Sequence, residues 1–338
     1  MSEGARNQDL VPPRPSETIH PRPPTPLVDS VPRRKASNLT LRLISAVVVI
    51  PPVTWAIFQD KIWVLGFVLV ITWAGLREFY LLIEAKGAHP LRGFGIVAGT
   101  AVPVVAFLGS EYHATVLMSA VLLGVMVSQL QKARIADALE SISGTFFGVF
   151  YVGWLLSHAV VLRDFHGAVS ARFGAEAVVG MDPDVGAFYL FWTIAVVVAG
   201  DAGAYFAGRA YGKRKLAPQI SPGKTVEGAA GAVVAGIVFG LAFKALFDQV
   251  APSLSAELGW VACGVIAAVL SVVGIVGDLV ESLLKRDAQV KDTAHLLPGM
   301  GGVLDRIDSN LLAIPVMYYL LLAFTFLTSS VAGPFGVE

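Results

Sequence analysis

Residues 257–287 read "ELGWVACGVIAAVLSVVGIVGDLVESLLKRD". Between Trp260 and Val276 there is no charged side chain. A run of this kind approaches the ~20 apolar residues that cross bilayer hydrocarbon, where a lone segment satisfies its backbone polar groups only as a helix. The stretch therefore reads as a membrane span whose last turns become polar. On a helix, Asp278, Ser282 and Lys285 fall at i, i+4 and i+7, with Glu281 one turn before Lys285, all on one face. An aspartate at the centre of a span costs about 2.5–3.5 kcal/mol on insertion scales, and less near the interface. An ion pair such as Glu281 with Lys285 would account for two of these groups, but not for two acids, a hydroxyl and a base on one stripe.

The rest of the chain has the same character. Of its 338 residues 55% are hydrophobic and only 15% charged, against roughly 25% charged in a soluble domain, and its mean hydropathy is +0.68. The expectation is an all-α fold, a polytopic transmembrane helical bundle of about nine spans, near 40–58, 62–82, 94–110, 114–130, 142–162, 186–208, 229–247, 257–282 and 309–330. Pro51 and Pro52 kink the first, and the third, with Pro103, is short. Formal net charge is zero, so only the distribution of charge is informative, and no nucleic-acid partner is expected. The single cysteine, Cys263, excludes an intrachain disulfide and reads as a small buried helix residue.

Three regions follow. Residues 1–38, rich in Pro, Arg and Ser, read as a disordered cytoplasmic tail without the apolar core of a signal peptide. Residues 39–185 read as scaffold helices, and 186–338 as the catalytic membrane region. With the basic tail inside, the positive-inside rule places Lys86, Arg92, Lys132, Arg134, the cluster from Arg209 to Lys224, Lys285, Arg286, Lys291 and Arg306 on the cytoplasmic side. Only Lys61, Arg163 and Arg172 fall opposite.

The polar segments of the second half thus share one side. In "DRIDSN" (305–310), Asp305 and Asp308 are spaced i, i+3 and Ser309 follows; either of the last two also suits a helix N-cap. About 20 residues join the two stripes, close enough for Asp278 and Asp305 to converge. Two carboxylates without soft ligands suit a hard cation, Mg²⁺ or Mn²⁺, which keeps waters and binds substrate phosphates. The glycines of "PGMGG" (298–302) let backbone N–H groups approach an anion.

"SPGKT" (221–225) resembles a P-loop only superficially: the spacing requires glycine at 218, which is Pro218, and no strand is expected before it. What remains is a basic, hydroxyl-bearing loop with Lys213, Arg214, Lys215, Ser221, Lys224 and Thr225, fit for phosphate oxygens or for anionic lipid. Gly200, Ala204 and Gly208 form a small-residue face for close helix packing. Asp201 beside them is either an interhelical hydrogen-bond partner or part of the polar site.

The run "SLLKRDAQVKDTAHLLPGMGGVLDRID" (282–308) resembles the signature of the phosphatidate cytidylyltransferases, the CDP-diacylglycerol synthases. That pattern is Ser-x-apolar-Lys-Arg, four residues, Lys-Asp, then Pro-x-His-Gly-Gly-apolar-x-Asp-Arg-apolar-Asp. "GDLVES" (277–282), "SPGKTVEG" (221–228) and "REFY" (77–80) are also similar to that family. One signature position departs, the family's histidine being Met300 here. The resemblance implies attack of phosphatidic acid on the α-phosphorus of CTP, giving CDP-diacylglycerol and pyrophosphate, in a bacterial inner membrane with the site facing the cytoplasm.

By position, the resemblance implies Asp278 and Asp305 as metal ligands. Lys285, Arg286, Lys291 and Arg306 would bind phosphates, and Asp292 and Asp308 would complete the catalytic set. Ser221, Lys224, Thr225, Glu227, Glu281, Ser282, Gly301 and Gly302 would line the substrates. Mg²⁺ is the expected cofactor, with Mn²⁺, a second, monovalent cation and a homodimer left open. Two other readings stand beside it: a CTP-dependent enzyme acting on another lipid, such as a polyprenol kinase, and an ion-coupled transporter. A transporter would show paired broken helices and midplane acids, whereas the charge here gathers at one edge of one half.

Overall fold

The structure is a computed structural model that describes residues 50–109, 111–130, 137–290 and 302–331, apart from the side chains of 111 and 328–331. Helical residues 50–57 (α1) precede α2 (Lys61–Ala85), α3 (Arg92–Phe107) and α4 (Glu111–Leu130). Then come α5 (Ala138–Gly148), a π-helical turn (Val149–Trp154), α6 (Leu155–Arg163), α7 (Phe165–Phe173), α8 (Val185–Tyr211), α9 (Val226–Val250), α10 (Pro252–Ser255), α11 (Trp260–Asp287) and α12 (Leu304–Val331). The π turn splices α5 and α6 into one apolar rod, Ala138–Arg163.

Seven helices among the described residues are long and apolar enough to cross a membrane, and Arg92–Phe107 is a shorter apolar helix. The all-α, polytopic architecture is therefore as expected. The third expected span is that shorter helix, and most of the first lies outside the described residues. Val234, Val238, Phe239 and Leu246 on α9 are exposed, as suits side chains that meet lipid tails. Cys263 is fully buried.

Small residues bring α8 and α9 together. A Cβ on Gly203 would lie 2.6 Å from the Gly231 carbonyl oxygen, and one on Gly228 would lie 2.9 Å from that of Ala204. The face predicted from Gly200, Ala204 and Gly208 is thus the one that packs on α9. Around this pair, Trp192 of α8 donates its indole N–H to the Gly240 carbonyl at 2.9 Å. Trp192, Phe188, Leu270 and Leu311 are buried in the largest apolar core.

One element departs from the helical plan. Lys215–Ala217 (β1) and Ser221–Thr225 (β2) form a short antiparallel ribbon, Lys215 opposite Thr225 and Ala217 opposite Ser221. "SPGKT" is accordingly a strand, not a loop, and Thr225 at its end caps α9 by accepting from the Gly228 N–H at 3.1 Å.

Ion pairs mark the two ends of the bundle. At one, Lys86 pairs with Asp287 at 2.6 Å and Arg92 with Glu84 at 3.5 Å; the neighbouring carboxylate holds the Lys86 ammonium above the ordinary lysine range. At the other end Lys61 pairs with Asp164 at 2.6 Å, Arg163 with Asp184 at 2.8 Å, and Lys244 with Asp248. The ribbon, the C-terminus of α11 and the N-terminus of α12 share the first end, and α10 lies at the second.

Candidate active site

The site is built where α11 ends and α12 begins. A Cβ on Gly277 would stand 2.6 Å from the Asp308 carbonyl oxygen and 3.1 Å from the Ser309 Cα. Only glycine lets the two backbones approach this closely, and the approach delivers Asp278 of α11 and Asp308 of α12 to the same level. α12 starts at Leu304, so Asp308 and Ser309 are not its N-caps but lie in its second turn.

Each metal-ligand candidate already carries a lysine. Asp278 Oδ2 is 2.7 Å from Lys224 Nζ and its Oδ1 accepts from Ser282 Oγ at 3.3 Å. Asp305 Oδ1 is 2.8 Å from Lys285 Nζ and its Oδ2 accepts from the Gly302 N–H at 3.0 Å. The ribbon, docked on α11 by Arg286 Nε donating to the Ile220 carbonyl at 3.2 Å, is what brings Lys224 into reach.

The remaining acids crowd behind these pairs. Asp308 senses the charges of Asp278 and Lys285. Asp201 lies in range of Asp308, Asp278 and Lys224 and beside the Ser309 hydroxyl, which assigns it to the polar site. Glu281 is fully buried. It lies against Asp308 and Asp305, carboxylates that accept rather than donate, so neither of its oxygens has a hydrogen-bond partner among the described residues. Its salt-bridge contact is Lys285 Nζ at 3.5 Å. Tyr151, from the π turn, is buried, its hydroxyl has no hydrogen-bond partner among the described residues, and it lies in range of Glu281 and Asp308.

Asp201, Asp278, Glu281, Asp305 and Asp308 thus gather around Lys224 and Lys285, an excess of carboxylate that runs from the exposed Asp201 to the fully buried Glu281. Buried oxygens on Glu281, Ser309 and Asn310 that have no hydrogen-bond partner among the described residues add to it. Uncompensated buried charge is costly, and this donor set, oxygen throughout, suits a hard cation. Among the described residues, no group of three or more His, Cys, Asp or Glu side chains is assembled as a coordination shell. Asp278 and Asp305 face separate lysines instead of each other.

Other candidates hold hydrogen bonds that build the site. Glu227 accepts from the Lys213 and Arg214 backbone N–H groups at 3.0 and 3.1 Å and from Arg214 Nε at 3.1 Å, pinning the ribbon to α9. Thr225 is an N-cap and Ser221 pairs with Ala217 in the ribbon. Arg306 is exposed on the first turn of α12. Lys291, Asp292, Met300 and Gly301 lie outside the described residues.

Sequence reasoning gave Glu78 no role of its own, although it lies within "REFY" (77–80). This α2 carboxylate is fully buried and accepts from the backbone N–H groups of Val303 at 2.9 Å and Leu304 at 2.8 Å. An acid inside an apolar span was the available signal.

Comparison with known proteins places this geometry. The model of the cytidylyltransferase family matches residues 40–324. Over 140 residues the chain is 47% identical to a phosphatidate cytidylyltransferase of Bacillus subtilis (strain 168), a match covering 41% of this chain and 49% of the relative; that alignment spans about half of the relative's length. Enzymes of the same name match far more of their length. That of Brucella suis biovar 1 (strain 1330) is 33% identical over 83% of this chain and 93% of its own. That of Synechocystis sp. (strain ATCC 27184 / PCC 6803 / Kazusa) is 30% identical over 83% and 95%. Matched by this family's model over residues 40–324 and by full-length relatives, the chain belongs to the cytidylyltransferase family.

Proposed function

We propose that the protein is a CTP:phosphatidate cytidylyltransferase of a bacterial inner membrane, its site facing the cytoplasm. The observation that carries this reading is the presence of both the Lys224–Asp278 and the Lys285–Asp305 pair at one end of an apolar bundle. A phosphate oxygen of phosphatidic acid attacks the α-phosphorus of CTP, the bond to the β-phosphate oxygen breaks, and CDP-diacylglycerol and pyrophosphate leave. Nothing in this exchange requires a covalent intermediate with the protein. It requires positioning and neutralisation of a strongly anionic pair of substrates.

Lys224 and Lys285 are placed for that work, and swing from their carboxylate partners to phosphate oxygens when substrates arrive. Arg286 and Arg306 extend the positive rim, and Lys291, outside the described residues, is a further candidate for phosphate by its place in the sequence. Asp278 and Asp305 would hold Mg²⁺ (or Mn²⁺), with Asp308 and Glu281 as further oxygens for it or for a second, monovalent ion. The bound cation would supply charge neutralisation at the triphosphate. Freed of their lysines, the two aspartates would be available as ligands for such an ion.

A site at the end of apolar helices suits a substrate that is half lipid, and the relatives' shared name supports phosphatidate over a polyprenol. The basic residues at the site end, Lys86, Arg92, Lys213, Arg214 and Lys285 among them, support the cytoplasmic orientation. Membrane lipids are the remaining partners, and a homodimer is compatible with the exposed apolar faces.

The direct test is pyrophosphate release by the purified protein with CTP, phosphatidic acid and Mg²⁺. Turnover that requires all three supports the reading. CTP consumption unaffected by removing phosphatidic acid would reject it.

A further inference from the structure

We propose that Glu78 is a positioning residue for the cytidylyl transfer, acting through the first turn of α12. This inference rests on the placement of Asp305 in the reacting centre. Both Glu78 oxygens are engaged, Oε1 by the Val303 N–H at 2.9 Å and Oε2 by the Leu304 N–H at 2.8 Å. These donors belong to the open N-terminus of α12, where helical partners are missing and the helix dipole favours an anion. Helices are usually capped by their own flanking residues. This cap arrives from α2 instead, 225 and 226 residues away in sequence.

The cap sits next to the chemistry. Asp305 follows Leu304 directly, takes the Gly302 N–H at 3.0 Å with one oxygen, and meets Lys285 at 2.8 Å with the other. The N–H groups of 302, 303 and 304 are therefore all committed to carboxylates, two of them to Glu78. The turn is held as a rigid unit whose output is the direction of the Asp305 side chain. The same commitment rules out a phosphate cradle made from the N–H groups of 303 and 304, and leaves phosphate recognition to the lysines and arginines. Hydrogen bonds from N–H to an ionised carboxylate are stronger than neutral ones. A neutral amide at 78 would present its own N–H to one of the two donors.

The test uses the full chain in detergent. Glu78→Gln should lower kcat about 10–100-fold, leave the KM for CTP and phosphatidic acid within about threefold, and leave CTP affinity by equilibrium binding within the same range. Val303→Pro removes one donor from the other side while keeping the Glu78 charge, and should lower kcat with the same unchanged KM values. Val68→Ala, a cavity variant of a buried residue ten positions earlier on α2, should lower Tm without lowering kcat, which separates stability from positioning. Because Glu78 acts through Asp305, Glu78→Gln combined with Asp305→Asn should lose no more than about threefold beyond Asp305→Asn alone. Full kcat in Glu78→Gln, losses that multiply in the double variant, or a kcat loss shared by Val68→Ala would each overturn the proposal. Asp305→Asn alone tests the site reading: full turnover there removes the site assignment whatever Glu78 does, while a loss there with a silent Glu78→Gln rejects only the positioning role.

Discussion

Replacing Gly277 by alanine probes whether the approach of α11 to α12 sets the reacting geometry. The new methyl would sit 2.6 Å from the Asp308 carbonyl oxygen and 3.1 Å from the Ser309 Cα. Relaxed C···O contacts lie at about 3.3–3.6 Å, so the helices must part by roughly 0.7–1.0 Å at this level. Backbone atoms form the obstacle, and no rotamer change relieves it. Overpacking of this kind costs about 1–3 kcal/mol, and a misplacement of ~1 Å among reacting groups costs on the order of 100-fold in rate. The displaced residues adjoin Asp278 and include Asp308, so the shift is delivered to the acids themselves. Gly277→Ala should lower kcat about 10–100-fold in the pyrophosphate-release assay and lower Tm in detergent. Gly264→Ala is the matched control: it lies on the same helix with nothing within 4 Å of the added methyl, and should leave kcat unchanged. If Gly277→Ala turns over and melts like Gly264→Ala, the argument from close approach is refuted.

Asp278→Asn and Asp305→Asn should each leave a folded, membrane-inserted protein with turnover reduced at least ~100-fold, a loss of several kcal/mol of transition-state stabilisation. Glu176→Gln, at an exposed position in the segment between α7 and α8, should be nearly silent; near-normal turnover of either aspartate variant at saturating Mg²⁺ removes that residue from the site. Reporter tags in 208–228 and 283–308 should be reached only from the cytoplasm and a tag in 248–256 only from the other side, and labelling of 248–256 together with 283–308 would break the topology. Met300→His, outside the described residues, should keep kcat within about tenfold, below ~1.4 kcal/mol, because a thioether is neither a ligand for Mg²⁺ nor a proton donor. A wild-type protein without turnover that histidine restores would make that position catalytic.

The spans were legible because their signal is local: α2, α8, α9 and α11 all follow apolar runs within a few residues of where composition places them. The polar stripe on α11 was legible too, since helical periodicity alone puts Asp278, Glu281, Ser282 and Lys285 on one face. What was missed depends on partners distant in sequence. "DRIDSN" reads as a loop before a span, yet α12 already begins at Leu304, because Glu78 supplies the cap from α2. "SPGKT" carries turn residues and reads as a loop, but Lys215 to Ala217 pairs with it and Glu227 ties down its neighbours. The ambiguity of Asp201 could be resolved only by knowing that α12 passes close enough to put Asp308 and Ser309 in its range. Asp278 and Asp305 looked like a matched pair, but each meets a lysine instead: Asp305 meets Lys285 of α11, and Asp278 meets Lys224, which the ribbon brings into reach.

The Glu78 contact also imposes an order on biogenesis. Leu304 is synthesised 226 residues after its acceptor, and at about 5–20 residues per second that gap lasts roughly 11–45 s. Throughout it, α2 resides in the bilayer with a carboxylate seven residues from its Ala85 end and without the two N–H donors that later satisfy it. A carboxylate favours the interface over the hydrocarbon, so a nascent α2 would sit nearer the membrane surface. Asp305 and Asp308 arrive with α12 itself, so the reacting centre is completed only when that helix enters.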